Sequence, residues 1–202
     1  MSGASFCEAL ADWAASAAPL PAPARAEARL ALLDTLGCIL AGWDEPQTRA
    51  ARSAFGESAA TGRALIFGTA AHALDFDDYE LPGSTHPSAP VYGALLALSV
   101  GRDLTWATLL DAYATGYEAI VRLGEAMGYE HYAAGWHSTG TLGTVGAAAA
   151  SARLLGLGRE GIAHAVALGA SMGAGLKAQF GTDAKALHAG LAARAGAEAA
   201  LR

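Results

Sequence analysis

Apolar residues recur along this chain at the three- and four-residue spacing of helical faces. Phe6, Leu10 and Trp13 predict a first helix over Ser5 to Ala17, and Pro19, Pro21 and Pro23 end it in a short rigid connector. Leu30, Leu33, Leu36 and Leu40 form the apolar stripe of a second helix, from Arg25 to Ala41, with Gly42 as its stop. The stretch from Asp44 to Gly68 is polar and small, and reads as a loop with at most one short helix. Pro87 and Pro90 restrict the backbone at the start of an apolar helix over Ala89 to Val100, which Gly101 ends. A long helix follows from Thr105, a candidate N-cap, to Met127. A turn over Gly135 to Gly140 feeds a helix of small residues from Thr141 to Leu155, whose backbone neighbours can approach closely. Glu160 to Gly169 is helical again, and a last helix from Ala186 is still amphipathic at Arg202. Ala and Leu dominate while Ile and Val are scarce, so the chain reads as all-α. No fixed-period repeat divides it, and residues 1–202 read as a single helical domain.

Composition narrows the function classes. A hydrophobic fraction of 53% supplies a substantial core, and a net charge of −6 with pI near 5.4 leaves no electrostatic footprint for nucleic acid. Charges are scattered, without basic runs, and Gly, Ser or a charge breaks each apolar stretch short of a spanning length, so a membrane role is not expected. Glu8 and Asp12 interrupt the N-terminal apolar stretch and no basic region precedes it, so no signal peptide is read and the cytoplasm is the expected location. Cys7 and Cys38 are too few for a disulfide framework or a zinc site and read as small buried side chains in a reduced compartment. No GxxxxGK[ST] loop, GxGxxG, GxSxG elbow or HExxH is present.

Unusual polar residues gather in three segments: Gly68 to Ser88 (GTAAHALDFDDYELPGSTHPS), Gly135 to Thr141 (GWHSTGT) and Phe180 to Gly190 (FGTDAKALHAG). They hold four of the six histidines and one of the two lysines, in surroundings able to pack but poor in chemistry. Asp75, Asp77 and Asp78 fall within four residues, and would repel one another unless a positive group sits close or one is protonated. Asp77 and Asp78 alone read as a solvated acidic turn. His72, Asp75 and His86 are also potential metal ligands, but their spacing matches no strong metal signature. His86 and His137 each stand at a helix mouth, where the dipole should lower the pKa of His86 and leave a neutral imidazole able to take a proton. Backbone N–H groups after His137, with the hydroxyls of Ser138, Thr139 and Thr141, offer a pocket for a carboxylate. Lys185 on spacing alone reads as a surface cation, and His131, His164 and Lys177 as structural or exposed.

Taken in order, ALLDTLGCILAG (Ala31 to Gly42), AHALDFDD (Ala71 to Asp78), HPS (His86 to Ser88), GWHSTGT, GAAAASARLLGL (Gly146 to Leu157) and FGTDAKALHAG resemble the MmgE/PrpD family. Its members include 2-methylcitrate dehydratase, cis-aconitate decarboxylase and an iminodisuccinate epimerase. The resemblance implies an all-helical domain that normally pairs with a smaller α+β lid, usually in a homodimer, with the site between the domains. The lid has no counterpart in this chain, and the segment between Ala59 and Gly68 is shorter than the family's. The resemblance also implies small polycarboxylate substrates, lyase chemistry by proton transfer next to a carboxylate, and no cofactor or metal. By motif it makes Asp75, His86, His137 and Lys185 the catalytic candidates. In that reading a histidine acts as acid or base, Lys185 offsets carboxylate charge, and Asp75 orients a histidine. Ser138, Thr139 and Gly140 become substrate-binding candidates. Without the lid, half the cleft would face solvent unless a second chain covers it. The alternatives are a non-catalytic helical dimerisation or assembly module, the lid-less half of a split enzyme, and a metal-dependent hydrolase on His72, Asp75 and His86.

Overall fold

The computed structural model describes residues 5–16 and 18–202, so the expected end of the first helix at Ala17 lies outside the described residues. Among the described residues there are nine α-helices and no strand: α1 (Phe6–Ser16), α2 (Ala22–Gly42), α3 (Pro46–Phe55), α4 (Ala60–His72), α5 (Ser88–Ser99), α6 (Trp106–Ala133), α7 (Ser138–Leu154), α8 (Gly158–Met172) and α9 (Asp183–Leu201). A 3₁₀ turn at Lys177–Gln179 precedes α9. The fold is therefore all-α, as the composition implies. No described helix is long and apolar enough to cross a membrane.

Helix α7 occupies the centre. From Leu142 to Ala152 every residue is buried, and α5, α6, α8 and α9 pack around it. That is possible because the helix is built mostly from Gly, Ala, Ser and Thr. A Cβ added to Gly146 would stand 2.5 Å from the Ile120 side chain and 2.8 Å from the Gly116 carbonyl, so α6 crosses α7 at backbone contact. The main core joins Leu32, Tyr92, Leu95, Leu98, Leu110, Ile120, Ala147 and Leu154 from α2, α5, α6 and α7. A second cluster, with Leu10, Val145, Ile162 and Val166, ties α1 and α8 to the other side of α7.

Several expected boundaries hold closely. Thr105 accepts the amide of Thr108 at 3.1 Å as the N-cap of α6, and the helix loses its geometry at Gly128 (φ 61°), one residue past the expected end, before one more turn to Ala133. Pro21 caps α2 and Pro23 lies in its first turn, so the proline connector is partly helix start. The stretch read as a loop is different: α3 and α4 fill it. Helix α4 has no side-chain cap, and Thr61, Gly62, Gly68 and Thr69 offset the helix preference of its alanines, yet it is buried on nearly all sides against α9, α5 and α2. The α2 stripe is also turned outward except at Leu36, which packs against the main core. Leu30, Leu33 and Leu40 are 59%, 63% and 78% exposed, while Ala28, Leu32, Thr35 and Ile39 are buried. In α1, Leu10 is buried but Phe6 and Trp13 stay partly exposed. Cys38 is buried and Cys7 partly so.

Candidate active site

The acidic loop after α4 gives its three carboxylates partners that offset the expected repulsion in part, although burial and the neighbouring charge of Asp77 still raise the pKa of Asp78. Asp75 adopts a left-handed backbone (φ 59°), a conformation Asp tolerates better than most residues, and this turns the chain back over the end of α4. Asp77, two residues on, is buried and meets His72 Nδ1 at 2.9 Å and His86 Nδ1 at 3.4 Å. Asp78 points the other way and caps α5, accepting the amide of Ser88 at 3.1 Å and its hydroxyl at 2.6 Å. Buried Glu80 accepts the amide of Gly83 at 2.9 Å and the Thr85 hydroxyl, closing the 80–85 turn that delivers His86. Asp77 and Asp78 are thus buried and half-buried, not a solvated pair, while Asp75 stays exposed.

The second segment enters from α7. This helix begins three residues earlier than expected, so His137 is its N-cap and Ser138, Thr139 and Gly140 form its first turn. The Thr139 hydroxyl accepts the backbone amide of His86 at 3.0 Å, linking the two helix mouths. Gly140 gives its amide to the His137 carbonyl at 2.8 Å and packs against Ala174, where a Cβ would meet the carbonyl at 2.3 Å. The Ser138 hydroxyl is buried without a hydrogen-bond partner. The third segment is the start of α9, three residues earlier than expected, where Thr182 accepts the Ala184 amide at 3.2 Å. Lys185 sits in that first turn and pairs with Asp75.

These pieces meet at a cleft of about 310 Å³ lined by Asp75, Tyr79, His86, His137, Thr139 and Lys185, among others. Behind it four histidines stand in a row: ring centroids lie 4.7 Å apart for His86–His72, 5.7 Å for His72–His137 and 5.3 Å for His137–His188. Their environments differ. Burial opposes charge on His86, but the Asp77 hydrogen bond and the charges of Asp77 and Asp75 outweigh it and raise its pKa, the reverse of the helix-mouth expectation. Burial, reinforced by His72, His188 and Lys185, pushes His137 down to about 3, so this ring is neutral. Burial alone would raise Asp77, yet its hydrogen bonds to His72 and His86 bring it down to about 2. Asp75 is likewise held below its usual value, by Lys185 against the effect of burial.

One atom from each of His72, Asp75, Asp77 and His86 lies within 4.8 Å of the others, close enough to surround a cation. The ammonium of Lys185 already rests against Asp75, and His72 Nδ1 already pairs with Asp77. A metal ion would have to displace both arrangements.

Five of the seven candidates from the sequence, Asp75, His86, His137, Thr139 and Lys185, converge on the cleft, while Ser138 and Gly140 serve its support. The sequence reading passed over Asp77, because spacing does not reveal which of three neighbouring carboxylates turns inward. Tyr132 on the cleft wall lies outside the three segments, while Tyr79, Phe180 and His188 lie within them but were given no role there. His131 bonds the Thr141 hydroxyl at 2.7 Å and Lys177 the Tyr132 carbonyl at 2.9 Å, both structural, and His164 is exposed.

Comparison with known proteins gives a consistent pattern. The MmgE/PrpD N-terminal domain matches residues 56–202. The chain is 30% identical to the cis-aconitate decarboxylase-like protein oryM of Aspergillus oryzae, over 95% of this chain and 45% of that protein. It is 35% identical to human cis-aconitate decarboxylase, over 69% of this chain and 30% of that protein, and 26% identical to the Aspergillus terreus cis-aconitate decarboxylase, over 93% and 43%. The chain thus spans less than half the length of these relatives.

Proposed function

This chain belongs to the MmgE/PrpD family, and from that premise we propose that it is the helical part of a lyase acting on a small di- or tricarboxylate. The observation that carries the reading is the pair of histidines, one on each helix mouth, whose proton affinities are driven apart across one cleft. His137 is kept neutral, with a low proton affinity that the carboxylates of a bound acid would raise, while His86 is backed by Asp77 and holds its proton more tightly than a free imidazole. Divergent pKa values of this kind distinguish a base from an acid. Lys185, hydrogen-bonded to Asp75, supplies a fixed positive charge for a substrate carboxylate and for the anion that develops next to it. The reaction is proton transfer coupled to loss of CO2 or water, and the relatives' names favour CO2. Asp75, His86, His137 and Lys185 carry the chemistry, with Thr139 lining the substrate position.

The rim supports a cover supplied from elsewhere. Phe76, Tyr79 and Leu81, on the loop over the cleft, are 72%, 55% and 80% exposed, and a water-excluding site needs such surface covered. We assign that cover to a lid, in cis or on a second chain, and the exposed leucines of α2 to contact between copies in a homodimer.

Thermal melting of the purified chain with cis-aconitate, citrate and 2-methylcitrate tests the reading. One acid should raise the melting temperature, and Lys185→Ala should abolish the rise. Turnover, once the cover is present, should vanish in His137→Ala and Lys185→Ala at unchanged helicity. No shift with any acid, or full activity in both variants, would leave the assembly module as the better description. The group formed by His72, Asp75, Asp77 and His86 keeps a metal-dependent hydrolase as second reading, and metal bound in stoichiometric amount to the purified chain would favour it.

A further inference from the structure

His188, like His72, stands in the row without lining the cleft and lies outside the family motif assignment, and it is the one in contact with His137 through a ring nitrogen. Its Nδ1 lies 3.0 Å from Nδ1 of His137. The contact is clamped on both sides. Gly175, held at φ +132°, accepts the His137 amide at 3.0 Å, and a Cβ on it would stand 3.2 Å from His188 Nδ1 and 3.5 Å from His137 Cβ. His188 also follows Lys185 by three residues on α9, so one helical face presents both. The pair is therefore mounted as rigidly as the helix itself.

Two neutral imidazoles facing each other through Nδ1 must hold one proton between them. If neither carried it, two lone pairs would oppose each other; if both did, two N–H groups would clash. Exactly one ring is thereby forced into the Nδ1–H tautomer, and its other nitrogen, Nε2, is left bare. Two features select His137 for that role. Positive charge at Lys185 acts on His137, and an ammonium favours a lone pair turned toward it over an N–H dipole. Positive charge at His72 bears on both rings and so does not choose between them, whereas Lys185 shares the cleft with His137 and does not bear on His188.

We propose that His188 is the positioning residue that makes His137 a base: its Nδ1 lone pair accepts the Nδ1 proton of His137, leaving Nε2 of His137 bare toward the cleft. This inference rests on the proposed lyase reading for its consequence, but not for its geometry. The bare Nε2 is then the atom that removes a proton from the substrate. A bond forms between Nε2 and that proton, the C–H electron pair stays on the substrate, and the ring becomes imidazolium beside an anion. His188 stabilises the imidazolium by keeping the Nδ1 hydrogen bond throughout, in the manner of a carboxylate behind a catalytic histidine.

Nitrogen-15 correlation spectra of the imidazole rings in the ligand-free chain report the tautomer directly, without any assay. In the unaltered protein His137 should show a protonated Nδ1 and a bare Nε2. In His188→Phe, where no acceptor remains, the Nε2–H form should become the majority. In His188→Asn, whose amide oxygen accepts the same proton, the original tautomer should return. Should His188→Phe fail to fold, His188→Met gives the same comparison. An Nε2–H form of His137 in the unaltered protein, or an unchanged spectrum in His188→Phe, overturns the proposal. Where an acid is turned over, kcat should fall on the order of 10²-fold in His188→Phe with KM little changed, and His188→Asn should regain much of it. Equal losses in both variants at equal melting temperature also count against it. A protein that turns over no acid would sink the lyase reading, while the spectra still decide the tautomer.

Discussion

Asp77 shows how much a single side chain contributes here. It is buried and faces both His72 and His86, and only His86 has a second carboxylate, Asp75, within reach. Removing one partner of a buried, hydrogen-bonded pair leaves the other uncompensated, at a cost of about 3–5 kcal/mol. Asp77→Ala should therefore lower stability in urea by that order, whereas Asp75→Ala, whose side chain is 57% exposed, should cost less than about 1 kcal/mol. Asp77→Asn should also move the titration of His86 to lower pH in a proton NMR series, because the charge that raises it is gone. An unmoved His86 titration would mean that Asp75 alone sets its basicity. The sequence placed three aspartates together but not their directions, since a left-handed residue at Asp75 decides which of them turns inward.

At the level of elements, α2 and α4 mark the limit of periodicity. Helix α2 is apolar on nearly every side, so its leucine stripe identifies a helix without identifying its buried face. The structure buries Leu32 and Ile39 and exposes Leu33 and Leu40. Leu32→Ala should then destabilise the chain by about 2–5 kcal/mol, and Leu33→Ala by no more than about 0.5 kcal/mol in the monomer. Comparable losses in chemical denaturation would restore the opposite orientation. Helix α4 failed to announce itself because two Gly and two Thr interrupt it and no side-chain cap marks its start. Its helicity is imposed by packing against α9, α5 and α2. That packing also delivers His72 and the loop after it to the cleft.

For the molecule as a whole, burial of neutral histidines couples folding to pH. His137, His188 and His131 all have folded pKa values lowered by burial, with His137 near 3. Once pH falls below the unfolded value near 6.5, the unfolded chain takes protons that the folded chain refuses, so stability declines on acidification. His86 works the other way: its raised value adds stability at low pH that is lost as pH rises through its folded pKa. Asp77 adds a loss only below about 4, where the unfolded carboxyl begins to protonate. The balance predicts unfolding free energy that falls between pH 6.5 and 4.5, at up to about 1.4 kcal/mol per pH unit for each excess proton. His137→Gln should flatten that slope. A slope that is flat or inverted in the unaltered protein would mean that His86 dominates.

The sequence by itself determined the all-helical class, seven of the nine described helices with their ends to within a few residues in most cases, the family, and the three segments in which the site residues lie. Caps, prolines and glycines act within a few residues, and motif residues are fixed by their order along the chain. Only the tertiary structure decided that α4 is a helix, which face of α2 is buried, which aspartate serves the histidines, and that His188 stands behind His137. Each of those depends on groups far apart in sequence meeting in an interior where burial and charge act at a few ångströms, and no local pattern encodes such a meeting.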